Sequence, residues 1–226
     1  MKEHRVFYRR QLPHWQPGGT TLFITFRLAG SLPQVVIAAL REQYEQEKRA
    51  LLKFEEGQER QKREELNARR AFGRWDAVLD KAKHGPHWLA NPEVASIVVE
   101  ALQYRHGRVY DLVAFCLMPT HVHLVCTPLQ REDGTYHALN RILQSLKRHT
   151  AREANKILQR QGAFWQAESY DHFVRNAGEL TRIIQYVINN PVKAGLVADW
   201  EAWPWTYVKS DWQSDLPIYG VNQCLS

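Results

Sequence analysis

Two histidines, His121 and His123, lie two residues apart in the sequence LMPTHVHLVCTPL. The surrounding residues are typical of a β-strand, in which side chains two positions apart point to the same face. The two imidazoles are therefore predicted to lie side by side, with Val122 on the opposite face. Two ring nitrogens at this spacing can chelate one metal ion. A pair of structural, hydrogen-bonded histidines fits the same pattern, and the motif alone does not distinguish the two.

A tyrosine and an asparagine, Tyr186 and Asn190, lie one helical turn apart in the sequence YVINNPVKAGLV. On a helix, residues i and i+4 are neighbours on one face. The Tyr186 phenol can serve as a covalent nucleophile, and the carboxamide oxygen of Asn190 is a hard, neutral metal ligand. A core tyrosine followed by an asparagine near a helix end is the alternative interpretation.

Positive charge is concentrated in one segment of the chain. The net charge is +6, and residues 141–160 contain six Lys or Arg and one Glu. In that segment Lys147, Arg148 and Arg152 lie along one flank of a predicted helix, where they could contact phosphates without recognising a base sequence. Trp165 could stack on an exposed base. A solvated helix face and a core tryptophan are the alternatives.

The elements that position these residues follow from the hydrophobic pattern. Two apolar runs on either side of the sequence MPT predict an antiparallel hairpin that carries the histidines. Amphipathic periodicity predicts helices around the basic segment and around Tyr186. The predicted strands are Thr20–Gly30, 108–118, 121–129 and 162–174, and the predicted helices of the domain are 92–107, 137–158 and 177–190.

The order β–α–insertion–α–β–β–α–β–α predicts an α+β fold of the ferredoxin-like or RRM-like class. Such a fold has an antiparallel sheet with helices on one face, and here Tyr186 lies on a C-terminal helix. We expect a single domain over residues 1–226, with a charged helical insertion at about 41–90 and an aromatic-rich tail at about 198–226. Sparse apolar residues predict that the insertion is either a protruding helical pair broken near Gly57 or one long solvated helix, and not part of the core.

Several blocks of the sequence resemble the REP-associated tyrosine transposases, a branch of the single-tyrosine HUH superfamily of insertion-sequence transposases. The resemblance extends over Leu12–Arg27 and Tyr110–Trp205 but does not include the insertion. The blocks occur in the order MPTHVHLV, SLKRHTAREANK, FWQAESYDHFVRN and YVINNPVKAGLV.

The resemblance implies a role for each candidate residue. His121 and His123 would be the histidine pair of the superfamily, Tyr186 the nucleophile and Asn190 the third metal ligand. Insertion-sequence relatives usually have glutamine at the position of Asn190. Because asparagine is one methylene shorter, the tyrosine helix must lie closer to the metal.

The resemblance also implies a metal-dependent endonuclease and strand transferase that acts on single-stranded DNA beside a REP-type hairpin. Bound Mg²⁺ or Mn²⁺ would polarise the scissile phosphate, and Tyr186 would form a 5′-phosphotyrosine intermediate. Zn²⁺ also suits imidazole ligands, and the sequence reveals no general base for the tyrosine. The REP-associated branch tends to act as a monomer, so we expect a monomer in the cytoplasm, associated with the nucleoid.

Two other functions fit parts of the sequence. A structural zinc site could use Cys116 and Cys126 with the two histidines. However, Cys126 lies an odd number of residues from both histidines and is predicted on the other face. The second alternative is a non-catalytic hairpin-binding module of the same fold, although the aromatic signature of RNA-recognition motifs is absent from the third strand.

Composition predicts an intracellular protein. Three cysteines are too few for a disulfide framework, and the basic N-terminus lacks the apolar segment of a secretory signal. The longest apolar runs are shorter than the roughly 18 residues that a membrane helix needs.

Overall fold

The protein is built on a five-stranded antiparallel sheet. The computed structural model describes residues 19–54, 57–81 and 85–213. The strands are β1 (Leu22–Leu28), β2 (Tyr110–Leu117), β3 (His121–Pro128), β4 (Trp165–Phe173) and β5 (Thr206–Val208), in the spatial order β4–β1–β3–β2–β5. The first four are the predicted strands. The fifth is a short segment of the aromatic tail that pairs with β2.

Seven α-helices accompany the sheet in the described part of the chain. An asparagine caps α3, where Asn91 Oδ1 accepts from the Glu93 N–H at 2.9 Å, and another caps α5, where Asn176 Oδ1 accepts from the Glu179 N–H at 2.9 Å. None of these helices is both long enough and apolar enough to cross a membrane. They are α1 (Gln34–Leu51), α2 (Gln58–Asp80), α3 (Pro92–Arg105), α4 (Leu139–Ile157), α5 (Ala177–Ile188), α6 (Asn190–Lys193) and α7 (Ser210–Gln213).

The sheet separates two apolar layers. On one face, α3 and α4 pack against strand residues that include Phe26, Val122 and Leu124. On the other face, α5 packs against Phe23 and Val125. The predicted α+β class is confirmed: the two helices of the ferredoxin-like pattern share one face, and the tyrosine helix lies on the other.

The hairpin of β2 and β3 positions the histidines as the alternation predicts. Residues 118–120 connect the strands, and Thr25 of β1 and Cys116 of β2 are the register partners of His123. Val122 belongs to the apolar layer beneath α3 and α4, opposite the two imidazoles. The histidines therefore face α5.

The segment predicted as an insertion consists largely of α1 and α2, but it is not a purely solvated pair. The first turns of α2 are exposed and carry ion pairs such as Arg63–Glu59 at 2.9 Å. The last turns are buried: Ala71, Trp75, Asp76 and Leu79 are each at most 7% exposed. The prediction that this segment stays outside the core is wrong for its C-terminal end, because apolar side chains are concentrated there.

Candidate active site

The two imidazoles on β3 are fully buried and adjacent. Their Nε2 atoms lie 3.1 Å apart, and both residues are 0% exposed. Each Nδ1 atom contacts a threonine hydroxyl, at 2.9 Å from Thr120 Oγ1 to His121 and at 2.8 Å from Thr25 Oγ1 to His123. Because the hydroxyls occupy the Nδ1 atoms, both Nε2 atoms point to the same place. This is the arrangement in which outer hydrogen bonds orient histidine ligands.

The end of α5 and the start of α6 bring Tyr186 and Asn190, respectively, to the imidazoles. Asn190 is 0% exposed, and its Nδ2 atom lies 3.0 Å from His123 Nε2. Within the described residues its Oδ1 atom has no hydrogen-bond partner. A 180° rotation of the amide would turn this oxygen to the imidazoles. The predicted proximity of Asn190 to the histidine pair is therefore present in the structure.

The Tyr186 ring lies beside the same imidazole, with its centroid 5.6 Å from that of His123. Its hydroxyl is buried and has no hydrogen-bond partner among residues 19–54, 57–81 and 85–213. A nucleophile that acts on DNA must be reachable, so this closed position differs from the sequence-based expectation. The side chain that closes it on one side is Phe72 of α2, whose ring lies 6.3 Å from the Tyr186 ring.

Two carboxylates of α2, which no sequence pattern predicted, lie beside the imidazoles. Asp76 Oδ1 lies 3.3 Å from His123 Nε2 and 3.9 Å from His121 Nε2. Asp80, one helical turn later, lies 3.7 Å from His121 Nε2. Asp76 is 0% exposed, and neither of its oxygens accepts a well-aligned hydrogen bond from the described residues.

These side chains fit a divalent cation. Ligand atoms of Asp76, His121 and His123 all lie within 4.8 Å of one another. Imidazole nitrogens and carboxylate or carboxamide oxygens form a ligand set that Mn²⁺, Zn²⁺ and Mg²⁺ can all use. Buried oxygens without partners, on Asp76 and Asn190, are the atoms that such an ion would satisfy.

Burial sets the protonation states of the cluster. It lowers the pKa of both imidazoles, to about 3 for His123, so both rings are neutral at neutral pH and can bind a cation. Burial also raises the pKa of Asp76 to about 7, and burial together with the Asp76 carboxyl raises the pKa of Asp80 to about 6. The Lys193 ammonium opposes both increases.

Lys193 connects the carboxylates to the tyrosine. Its Nζ atom lies 3.2 Å from Asp80 Oδ2 and 5.3 Å from the centroid of the Tyr186 ring. A cation at this place favours the phenolate form of a tyrosine. The sequence block that contains Tyr186 and Asn190 also contains Lys193, but its spacing alone did not indicate this position.

The residues predicted to bind DNA lie around a groove of about 550 Å³ between α4 and β4. Arg148 lines the groove and is exposed, and the Arg152 side chain is 68% exposed and pairs with Glu153. Lys147 differs from the expectation of a free cation: its Nζ atom donates to the carbonyl oxygens of Gln166 at 2.9 Å and of Ala167 at 3.2 Å.

Trp165 also differs from its expected role as an open stacking surface. It is 7% exposed, and its Nε1–H donates to Thr150 Oγ1 at 2.8 Å. Its ring packs edge to face on Phe26 at 4.9 Å. Trp165 therefore forms part of the wall of the groove, and its ring faces are used for packing in this conformation.

The cysteines do not assemble with the histidines in the way a zinc site requires. Cys126 belongs to the apolar layer beneath α3 and α4, whereas Cys116 lies on the histidine face. The parity argument from the sequence therefore agrees with the structure. The described chain instead provides Asp76 as the partner of the histidines.

Comparison with known proteins confirms the resemblance. The chain is 24% identical over 112 residues to a Haemophilus influenzae protein provisionally named a REP-associated tyrosine transposase. It is 24% identical over 110 residues to the REP-associated tyrosine transposase of Escherichia coli. The matches cover 47% and 49% of this chain and 64% and 61% of the relatives, so the chain spans less than two thirds of their length.

Two further comparisons complete this result. A solved structure of a REP-associated tyrosine transposase bound to a REP hairpin aligns with 100% of this chain and 99% of its own, at 16% identity and a TM-score of 0.44. No protein-family model matches the chain.

Proposed function

We propose that this protein is a metal-dependent single-stranded DNA endonuclease and strand transferase that cuts beside REP-like hairpins through a phosphotyrosine. One observation supports this most directly: Tyr186 of α5 and Asn190 of α6 meet the imidazole pair, with Asn190 Nδ2 3.0 Å from His123 Nε2. The names of the relatives in Haemophilus influenzae and Escherichia coli support the same class of chemistry. The site of action would be chromosomal DNA in the cytoplasm.

His121, His123 and Asn190 would hold the cation, with Asp76 as a further candidate ligand. When bound, Mg²⁺ or Mn²⁺ supplies Lewis acidity toward a non-bridging phosphate oxygen and neutralises charge that develops in the transition state. Thr25 and Thr120 keep the imidazole Nε2 atoms turned to this point. The protein thus contributes orientation and a preformed, water-poor environment.

Tyr186 would attack the phosphorus, forming the P–Oη bond as the bond from phosphorus to the 3′ oxygen breaks. The phenol proton ends on the departing 3′ oxygen, so one product strand has a 3′-hydroxyl and the other is joined to the enzyme through its 5′ phosphate. The Lys193 ammonium lies 5.3 Å from the centroid of the Tyr186 ring and places positive charge beside the reacting side chain. Attack by another 3′-hydroxyl reverses the step and joins a new strand.

The route of the DNA strand would follow the groove between α4 and β4. Arg148 would offer charge to the phosphate backbone in the groove, Arg152 would do so from the next turn of α4, and Lys147 and Trp165 shape the wall. Glu168 and Ser169 line this groove and also line a smaller cavity next to Asp76. A flexible single strand can bend across the edge of β4 from one to the other, whereas a stiff duplex cannot.

The proposal is tested with labelled single-stranded hairpin oligonucleotides copied from the DNA that flanks the gene. The protein is incubated with Mn²⁺ and each oligonucleotide, and the products are separated on a denaturing gel. We expect a covalent protein–DNA band that requires the cation and the 5′ side of a hairpin, from a protein that sediments as a monomer.

A binding-only function is the second candidate, because the Tyr186 hydroxyl is buried. It predicts tight hairpin binding with no covalent band under any divalent cation. That result, obtained with a protein whose hairpin affinity is intact, would contradict the nuclease proposal.

A further inference from the structure

One face of α2 lies across the candidate active site. Arg69, Phe72, Asp76 and Asp80 are spaced at three- and four-residue intervals, so they lie along a single stripe of the helix. Each contacts a residue of the site or its support: Arg69 pairs with Glu179 of α5 at 2.5 Å, and Asp80 pairs with Lys193 at 3.2 Å. The stripe thus spans the length of the site.

The contacts of this stripe exclude a DNA backbone. The Phe72 ring stacks on Tyr170 at 4.1 Å and packs edge to face on Phe23 at 5.3 Å. The cavity that remains between α2 and the sheet is about 40 Å³, which is close to the space of a single water molecule. A phosphodiester with its two sugars is several times larger and does not fit this cavity, and the Tyr186 hydroxyl beside Phe72 is itself buried.

Charge distinguishes the α2 ligands from those of the sheet and α5. His121, His123 and Asn190 are neutral donors, which leave the full charge of a divalent cation available to a phosphate. Asp76 and Asp80 together carry two negative charges when ionised. They would neutralise the cation and would repel a phosphate at the same place.

We propose that α2 is a displaceable cap, in which Asp76 and Asp80 complete the metal site in the resting state and occupy the place of the scissile phosphate. The inference rests on the proposed function. Single-stranded DNA must displace α2 before Tyr186 can react, and a cation without DNA must hold α2 closed. The cap is the part of the chain that the sequence resemblance does not include.

The cap is attached by a limited set of contacts. Its apolar contacts are the Phe72 ring on Phe23 of β1 and a small cluster of Leu32, Ile37, Trp75 and Leu79 that lies apart from both layers of the sheet. Arg74 of α2 pairs with Glu47 of α1 at 2.7 Å, so the two helices move as one unit. Such a satellite cluster can open without unfolding the sheet.

The first test uses Mn²⁺ alone and does not depend on catalysis. Hydrogen exchange of residues 66–80 is measured in the full chain with and without Mn²⁺. We expect Mn²⁺ to slow exchange there about tenfold in the natural protein and in Glu64→Gln, an exposed carboxylate on the same helix. In the double variant Asp76→Asn and Asp80→Asn, the slowing disappears, and the affinity for Mn²⁺ falls about tenfold or more.

The second test adds the single-stranded hairpin oligonucleotides. With Mn²⁺ saturating, we expect DNA to speed exchange of residues 66–80. We also expect Arg69→Ala, which removes the pair with Glu179, to form the covalent band severalfold faster than the natural protein. Arg63→Ala, which removes an exposed pair on the same helix, is the matched control and leaves the rate unchanged.

The outcomes separate this proposal from the proposed function. If Mn²⁺ does not change the rate of hydrogen exchange in α2, the cap proposal is overturned. It is also overturned if the covalent band forms while α2 stays protected from exchange. Slowing of exchange by Mn²⁺ that persists in the double variant also overturns it, because the two carboxylates would then not hold α2 closed. If no protein gives a covalent band but Mn²⁺ closes α2 as expected, the nuclease proposal fails and the metal-dependent cap remains.

Discussion

At the scale of single residues, two threonines determine where the imidazoles point. Thr25 Oγ1 contacts His123 Nδ1 at 2.8 Å from the neighbouring strand. Without this contact the ring can rotate or change tautomer, and its Nε2 atom no longer faces Asn190 and Asp76. Thr25 is thus a positioning residue.

We predict that Thr25→Val weakens Mn²⁺ binding by about tenfold to a hundredfold and lowers the stability by about 1–3 kcal/mol, because the buried Nδ1 atom of His123 loses its partner. Isothermal titration measures the affinity. The control is Thr21→Val, which removes a threonine–threonine contact of 2.8 Å to Thr127 near the same strand. Equal affinities of the two variants would show that the hydroxyl of Thr25 does not orient the ring.

A second prediction at this scale concerns the nucleophile. Tyr186→Phe removes one oxygen that has no hydrogen-bond partner within the described chain, so we expect an unchanged melting temperature and unchanged hairpin affinity. The covalent band should vanish. A covalent band of undiminished yield would show that another residue is the nucleophile. Tyr170, which stacks on Phe72, is then the next tyrosine to replace.

At the scale of elements, α4 offers an exposed and a buried set of cations. Arg148 and Arg152 reach solvent, while the Lys147 ammonium is bonded to β4, and burial lowers its pKa to about 8. Of these three cations, Arg148 and Arg152 are the ones that could release counterions to a bound DNA. Lys147 would act indirectly, through the shape of β4.

We therefore predict that Arg148→Ala with Arg152→Ala lowers the slope of log affinity against log salt concentration by about one to two. Fluorescence anisotropy of a hairpin oligonucleotide at several salt concentrations measures this slope. Arg108→Ala, which removes an exposed arginine that does not line the groove, should leave it unchanged. An unaltered slope in the double variant would place the DNA on another surface.

The sequence predicted the elements that obey a local period and missed those that depend on distant contacts. Alternation placed His121 and His123 on one face, and i,i+4 spacing placed Tyr186 next to Asn190. Asp76 and Asp80 were missed because they follow a tract of many exposed carboxylates, and no local pattern marks which of them face inward. The apolar residues Trp75, Val78 and Leu79 around them were the one available signal.

The tail strand β5 was missed for a related reason. Thr206–Val208 is only three residues long, and its pairing depends on the edge that β2 exposes. The Trp203 Nε1–H donates to the Leu117 carbonyl at 2.8 Å and helps to place it. Aromatic content predicted that the tail packs on the domain but could not predict a register.

At the scale of the whole molecule, the buried carboxylates make stability depend on pH. In metal-free protein the pKa of Asp76 is raised from 3.8 to about 7 by burial. The native state therefore holds this proton more tightly than the unfolded chain. The stability that protonated Asp76 contributes to the native state is therefore complete below about pH 4 and is lost as the pH rises through about 7. The pKa values of both histidines are lowered in the native state, so their contribution to stability has the opposite pH dependence. It is lost as the pH falls below about 6.5.

We predict that the natural protein in EDTA loses about 1 kcal/mol of stability between pH 6 and pH 8. Asp76→Asn, which cannot ionise, should lose much less over this range and be the more stable protein at pH 8. Urea denaturation at the two pH values gives the free energies. An equal loss of unfolding free energy in both proteins between pH 6 and pH 8 would show that the fold does not hold Asp76 in its neutral form.

The bond between Lys147 and β4 has a consequence for self-association. Phe26 pairs with Ser169 and Leu28 with Trp165, so three residues of β4 bulge opposite one residue of β1. The ammonium of Lys147 occupies carbonyl oxygens in that bulge, at an outer strand of the described sheet. An edge strand that is bent by a bulge, and whose carbonyl oxygens already accept from a lysine ammonium, pairs poorly with a strand of a second copy of the chain. The β4 border of the sheet is therefore poorly suited to pairing with the sheet of a second molecule.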